Sequence, residues 1–176
     1  MEYLTCILIV ILVVAGAISI RKSLGRRRAN QIKALAQQLG YDYLASDDGT
    51  TLEVLKPFPL FKKGFSRAID NIMRKTFGDC VLTVFDYEHE TYSPGIPRIP
   101  SRVFRSRQTV TMFSPTGTAT VAHSPCPSPP NAMMCIESNQ ETCLIYEPEI
   151  LHPADDLPIV IDQRKKLYDK RKIHVL

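Results

Sequence analysis

Residues 65–88 read FSRAIDNIMRKTFGDCVLTVFDYE, and the fold turns on whether their first half is helix or strand. Phe65, Ile69, Ile72, Met73 and Phe77 fall on one helical stripe, with Ser66 placed as N-cap and Gly78 as stop. The second half, Cys80 to Glu88, reads as a clear strand. Gly78-Asp79 then stands where a hairpin turn would join two strands. The local pattern favours a helix over 65–77 and the turn favours a strand, so both readings stay open on these residues.

Upstream, Tyr3 to Ile20 (YLTCILIVILVVAGAISI) carries no charged side chain. As a helix rising about 1.5 Å per residue it would span roughly 27 Å, near the thickness of a bilayer core. No polar stripe interrupts it, so it reads as a transmembrane anchor. A cleaved signal peptide is the competing reading, because Ala15-Gly16-Ala17 resembles a cleavage site. Against that, Met1-Glu2 offers no basic n-region. Arg21, Lys22, Arg26, Arg27, Arg28 and Lys33 follow the apolar run instead. This asymmetry predicts a signal-anchor in the cell (inner) membrane, crossing once, with the N-terminus out and the C-terminal domain cytoplasmic.

Residues 21–34 hold six basic and no acidic side chains, whereas 35–176 hold 16 basic and 17 acidic ones, so the formal charge of +4 comes from the flank. The body 35–163 is net −6, which speaks against nucleic-acid binding. The closing run Arg164 to Lys172 is basic again. Arg21, Lys22, Arg26, Arg27, Arg28, Lys165, Lys166, Lys170 and Lys172 are accordingly expected to meet lipid headgroups.

The remaining length suffices for one domain, giving a division into an anchor (1–20), a basic juxtamembrane helix (21–40) and a cytoplasmic α+β domain (41–176). Ile32, Leu35, Ala36 and Leu39 mark a helix stopped by Gly40. Thr51 to Leu55 reads as a short helix, and Phe58 and Phe61 in the following proline-flanked loop as core plugs. Thr91 to Ser106 reads as a long loop and Gln108 to Phe113 as a strand, with Thr118 to Ala122 as a return strand. Ser124 to Pro130 is a proline loop. Ala132–Glu137 and Thr142–Glu147 form a hairpin about Asn139-Gln140. A C-terminal helix begins near Pro158, with Leu157, Val160, Ile161 and Tyr168 as its buried stripe.

Phe58-Pro59-Leu60-Phe61, Gly64, Arg67, Val84-Phe85-Asp86-Tyr87, Arg107-Gln108-Thr109-Val110 and Leu144-Ile145-Tyr146-Glu147-Pro148 resemble a loose group of uncharacterised bacterial single-pass membrane proteins. The resemblance implies a strand over 65–77 and a membrane-tethered antiparallel sheet closed by a C-terminal helix. It implies no activity.

Candidate chemistry is sparse. In Asp86-Tyr87-Glu88-His89-Glu90 the carboxylates alternate with the imidazole along a strand, which works against a shared metal. Among His123, Cys126, Cys135, Cys143 and His152 only His123-x-x-Cys126 has paired zinc spacing, so no metal and no cofactor is expected. Cys80, Cys126, Cys135 and Cys143 are expected to be reduced thiols. No nucleophile elbow or glycine-rich phosphate loop is present. The expected fold is thus α+β: a transmembrane helix, then a mainly antiparallel sheet closed by a helix. The expected role is non-enzymatic contact with a protein or lipid. The alternative is a membrane-tethered hydrolase using His89 or His123 with nearby carboxylates.

Overall fold

A computed structural model describes residues 2–93, 102–116, 134–139 and 142–173. The first helix, α1 (Glu2–Leu39), runs unbroken through Gly25. It ends at Gly40, whose φ of 68° reverses the chain, and Tyr41 N–H closes the end on the Ala36 carbonyl at 2.8 Å. Lys75 Nζ satisfies the last helical carbonyl, Leu39 O, at 2.6 Å.

Strand β1 (Asp42–Ser46) and the short helix α2 (Thr50–Leu55) follow, with Asp47 accepting the Thr51 and Leu52 N–H groups at the helix start. A single 3-10 turn (Pro59–Lys62) then buries Leu60 and Phe61. Phe58 is buried with them, as the plug reading expects.

Residues 65–77 are strand, not helix. They form β2 (Phe65–Phe77), joined by the Gly78-Asp79 turn to β3 (Cys80–Ser93) and followed by β4 (Arg102–Pro115). The loop expected over 91–106 is therefore shorter than the prolines suggest: Ser93 and Arg102 already pair across the two strands. The short strands β5 (Cys135–Ser138) and β6 (Cys143–Tyr146) form the expected hairpin. The helix α3 (Leu157–Ile173) closes the chain after one 3-10 turn at Ala154–Asp156. The sheet order is β1-β2-β3-β4-β6-β5, and every neighbouring pair is antiparallel.

Helix stripes and strand alternation divide the core between the sheet's two faces. On one, Ile32 and Ala36 of α1 and Leu157, Ile161 and Tyr168 of α3 pack on Leu82, Val84, Phe113 and Ile145. On the other, Leu55, Phe58, Leu60 and Phe61 cover Phe85, Tyr87, Val110, Met112 and Leu144. The stripe expected for the closing helix is buried in full, with Leu157, Val160, Ile161 and Tyr168 each at most 8% exposed.

The membrane part of the expected fold class is corrected. Among the described residues no helix is long and apolar enough to cross a membrane. The transmembrane helix over 3–20, the signal-anchor and the single-pass inner-membrane localisation with an N-out, C-in topology all fall with it. The reason lies in the whole of α1, a single 38-residue helix from Glu2 to Leu39. The same helix continues into a basic segment and then into the domain core, so its second half is a packing element. Thr118 to Ala122, Ser124 to Pro130, His123 and Cys126 lie outside the described residues.

Candidate functional site

The sheet carries a polar group on each face at its centre. On the face of α1 and α3 stands Asp86, only 3% exposed. Arg28 grips it with two parallel bonds, Nε to Oδ2 at 2.7 Å and Nη2 to Oδ1 at 2.8 Å. Asn71 Nδ2 donates to Oδ2 at 2.9 Å and Thr109 Oγ1 approaches Oδ1 at 3.4 Å. Arg28 Nη1 also donates to the His152 carbonyl at 2.7 Å, tying α1 to the segment before α3.

Two devices bring these partners together. Arg28 lies four and eight residues before Ile32 and Ala36, so it shares their buried stripe. Asn71 sits where the β2–β3 register slips between Asp70 and Met73, with φ at 53°. The bulge turns its side chain toward Asp86, and Tyr43 Oη fixes the amide from the other side at 3.1 Å.

A second arginine extends the network. Arg164, 1% exposed, donates through Nη1 to Thr109 O at 3.1 Å and Thr111 Oγ1 at 3.0 Å. Its Nη2 lies 3.5 Å from Glu147 Oε1 and 3.2 Å from His152 Nε2, and His152 Nε2 is itself 3.2 Å from Glu147. Burial, then the Arg164 charge, hold the His152 imidazole below its ordinary pKa, with Glu147 opposing.

The opposite face holds Tyr87, His89 and Gln108. Tyr87 and Gln108 are register partners, and the His89 ring stacks on Tyr87 with centroids 5.3 Å apart. All three are buried, yet Tyr87 Oη, His89 Nδ1 and Gln108 Nε2 have no hydrogen-bond partner among the described residues. Gln108 Oε1 accepts the Glu149 N–H at 3.0 Å, which directs the amide nitrogen away from that turn. The Gly64 turn closes over His89 so tightly that a Cβ there would collide with the Glu90 carbonyl, and its φ of 66° also favours glycine. Arg67 Nη2 holds this turn through Gly64 O at 3.1 Å. Burial, then Lys63, keep the His89 pKa low, and burial raises that of Tyr87. Both groups are therefore neutral near pH 7.

The alternation expected for 86–90 is the one found: Glu88 and Glu90 point away from His89 and pair with Arg105 and Arg107. Among the described residues no three His, Cys, Asp or Glu side chains cluster as metal ligands would. His89 and His152 occupy opposite faces, but His152 does have a carboxylate partner.

The residues assigned to headgroups scatter in role. Arg26, Arg27, Lys166 and Lys170 are exposed, with Lys166 paired to Asp162 at 2.7 Å. Lys165 Nζ lies over the Phe77 ring at 4.3 Å. Arg28 belongs to the buried network, and the side chains of Arg21, Lys22 and Lys172 lie outside the described residues. Sequence reasoning missed Asn71, Tyr87 and Gln108 and took Arg28 for surface. The signal was available for Arg28 and Arg164, each a lone charge on an otherwise apolar stripe.

The chain matches no protein-family model, no curated protein and no solved structure.

Proposed function

We propose that this chain is a non-enzymatic module that contacts a partner protein through the far end of its central strands. The observation that carries this is the concentration there of exposed large apolar side chains. Phe65 on β2, Tyr92 on β3, and Val103 and Phe104 on β4 are 45–61% exposed. Paired strands place Tyr92 beside Val103 and Thr91 beside Phe104, so both faces of this end carry apolar groups. Exposed apolar patches on a folded domain mark contact surfaces.

Support also comes from the ionisable groups. The buried charges are held by one another and by backbone, as in the Arg28–Asp86 and Arg164–Glu147 pairs, which suits a scaffold. The hydrolase alternative draws less support. His89 is stacked on a ring and its flanking carboxylates face the other way.

A photo-crosslinking residue placed at Tyr92 or Phe104 should yield protein adducts in cells. The same group at Leu44 or Val54, which are similarly exposed elsewhere on the domain, should not. Equal adducts from all four positions, or none from Tyr92 and Phe104, would overturn the reading.

A further inference from the structure

We propose that the Tyr87, His89 and Gln108 row is a binding site for a carboxylate group. The three side chains are 0%, 6% and 2% exposed, and each presents a polar atom without a partner among the described residues. A buried polar atom left unpaired costs about 1–3 kcal/mol, so three on adjacent strands of one face are a standing demand for a ligand.

The available chemistry is donation. Tyr87 keeps its phenolic proton because burial disfavours the phenolate. Gln108 has its oxygen already engaged and offers N–H groups. His89, neutral, donates from Nδ1 in one tautomer. Two oxygens of one carboxylate can accept from such a row. Lys63 and Arg67 act on His89 with positive charge, opposed by Glu149. The exposed Gly64 turn stands against the His89 ring, so this is the side from which a ligand would reach His89. Phe104 lies two rows along the same face, which places the site beside the proposed contact surface.

The carboxylate has two conceivable sources, a free small acid or an acidic side chain of a protein segment. Sodium acetate and a capped peptide with one glutamate distinguish them, each measured against chloride at matched ionic strength on the full chain. Acetate should raise the wild-type melting temperature saturably by about 2–4 °C and shift the His89 imidazole nitrogen resonances. Tyr87→Phe should fold normally, because it removes an orphaned polar atom, and should lose the response. A peptide acting at tenfold lower concentration than acetate assigns the site to a protein partner; equal potency assigns it to a small acid. No acetate-specific shift, or a shift of the same size in Tyr87→Phe, would overturn the proposal. Failure here leaves the crosslinking result at Tyr92 and Phe104 untouched, so the two readings fail separately.

Discussion

Arg28 and Arg164 show how a single residue is removed from the surface by its place on a helix. Each falls on a stripe of apolar neighbours, so when the helix packs the guanidinium is carried inward and needs a partner there. Arg28 finds a carboxylate, and Arg164 finds backbone and hydroxyl oxygens with Glu147 at the edge. Titration exposes the same arrangement. Burial lowers the pKa of both His89 and His152 from the ordinary 6.5. His89 faces Lys63, Arg67 and Glu149, and His152 faces Arg164, Glu147 and Asp156. The unfolded chain therefore binds more protons just below pH 6.5, so the stabilising contribution is complete above that value and lost as pH falls through the folded-state pKa values. The melting temperature should be flat from about pH 8 to 7 and decline below about 6.5. His152→Gln should flatten the decline. A melting temperature that rises on acidification to pH 5.5 would contradict this.

At the scale of an element, β2 explains why periodicity misled. Register slips at Phe65/Ala68 and Asp70/Met73 each insert a residue, and Ser66 and Asn71 take φ of 50° and 53° to make room. Alternation is thereby reset within one strand, so Asn71, Ile72 and Met73 are buried in succession. A phase-shifted strand of this kind reads as a helical stripe. The hairpin turn at Gly78-Asp79, the Gly40 stop and the stripe of α3 were legible because each depends only on local residues. The bulge invites a direct test. Asn71→Ala removes the bonds to Tyr43 and Asp86 and leaves a Cβ residue at positive φ, and should cost about 2–3 kcal/mol in denaturant unfolding. Asn71→Gly loses the same bonds but relaxes the backbone, so it should be milder by about 1 kcal/mol. A glycine variant less stable than the alanine one would show that the bulge conformation is not what Asn71 supplies.

For the molecule as a whole, the decisive contact joins residues 58 apart in sequence. No local pattern reports such a pair. An apolar run followed by a basic flank reads as an anchor and its border, whereas the structure makes the second half of α1 a helix of the core. Separation in sequence also hides the Tyr87–Gln108 row, since it appears only once β3 and β4 are in register. Arg28 and Asp86 hold α1 to the sheet. The most direct measurement is a double-mutant cycle with Arg28→Ala, Asp86→Ala and the pair. Each single variant leaves the other charge in a low-dielectric setting, so Asp86→Ala should cost about 3 kcal/mol. The pair should cost clearly less than the sum of the singles, with a coupling of at least about 1 kcal/mol. Additivity within about 0.5 kcal/mol would contradict the account, because it would mean that the two side chains do not act on one another.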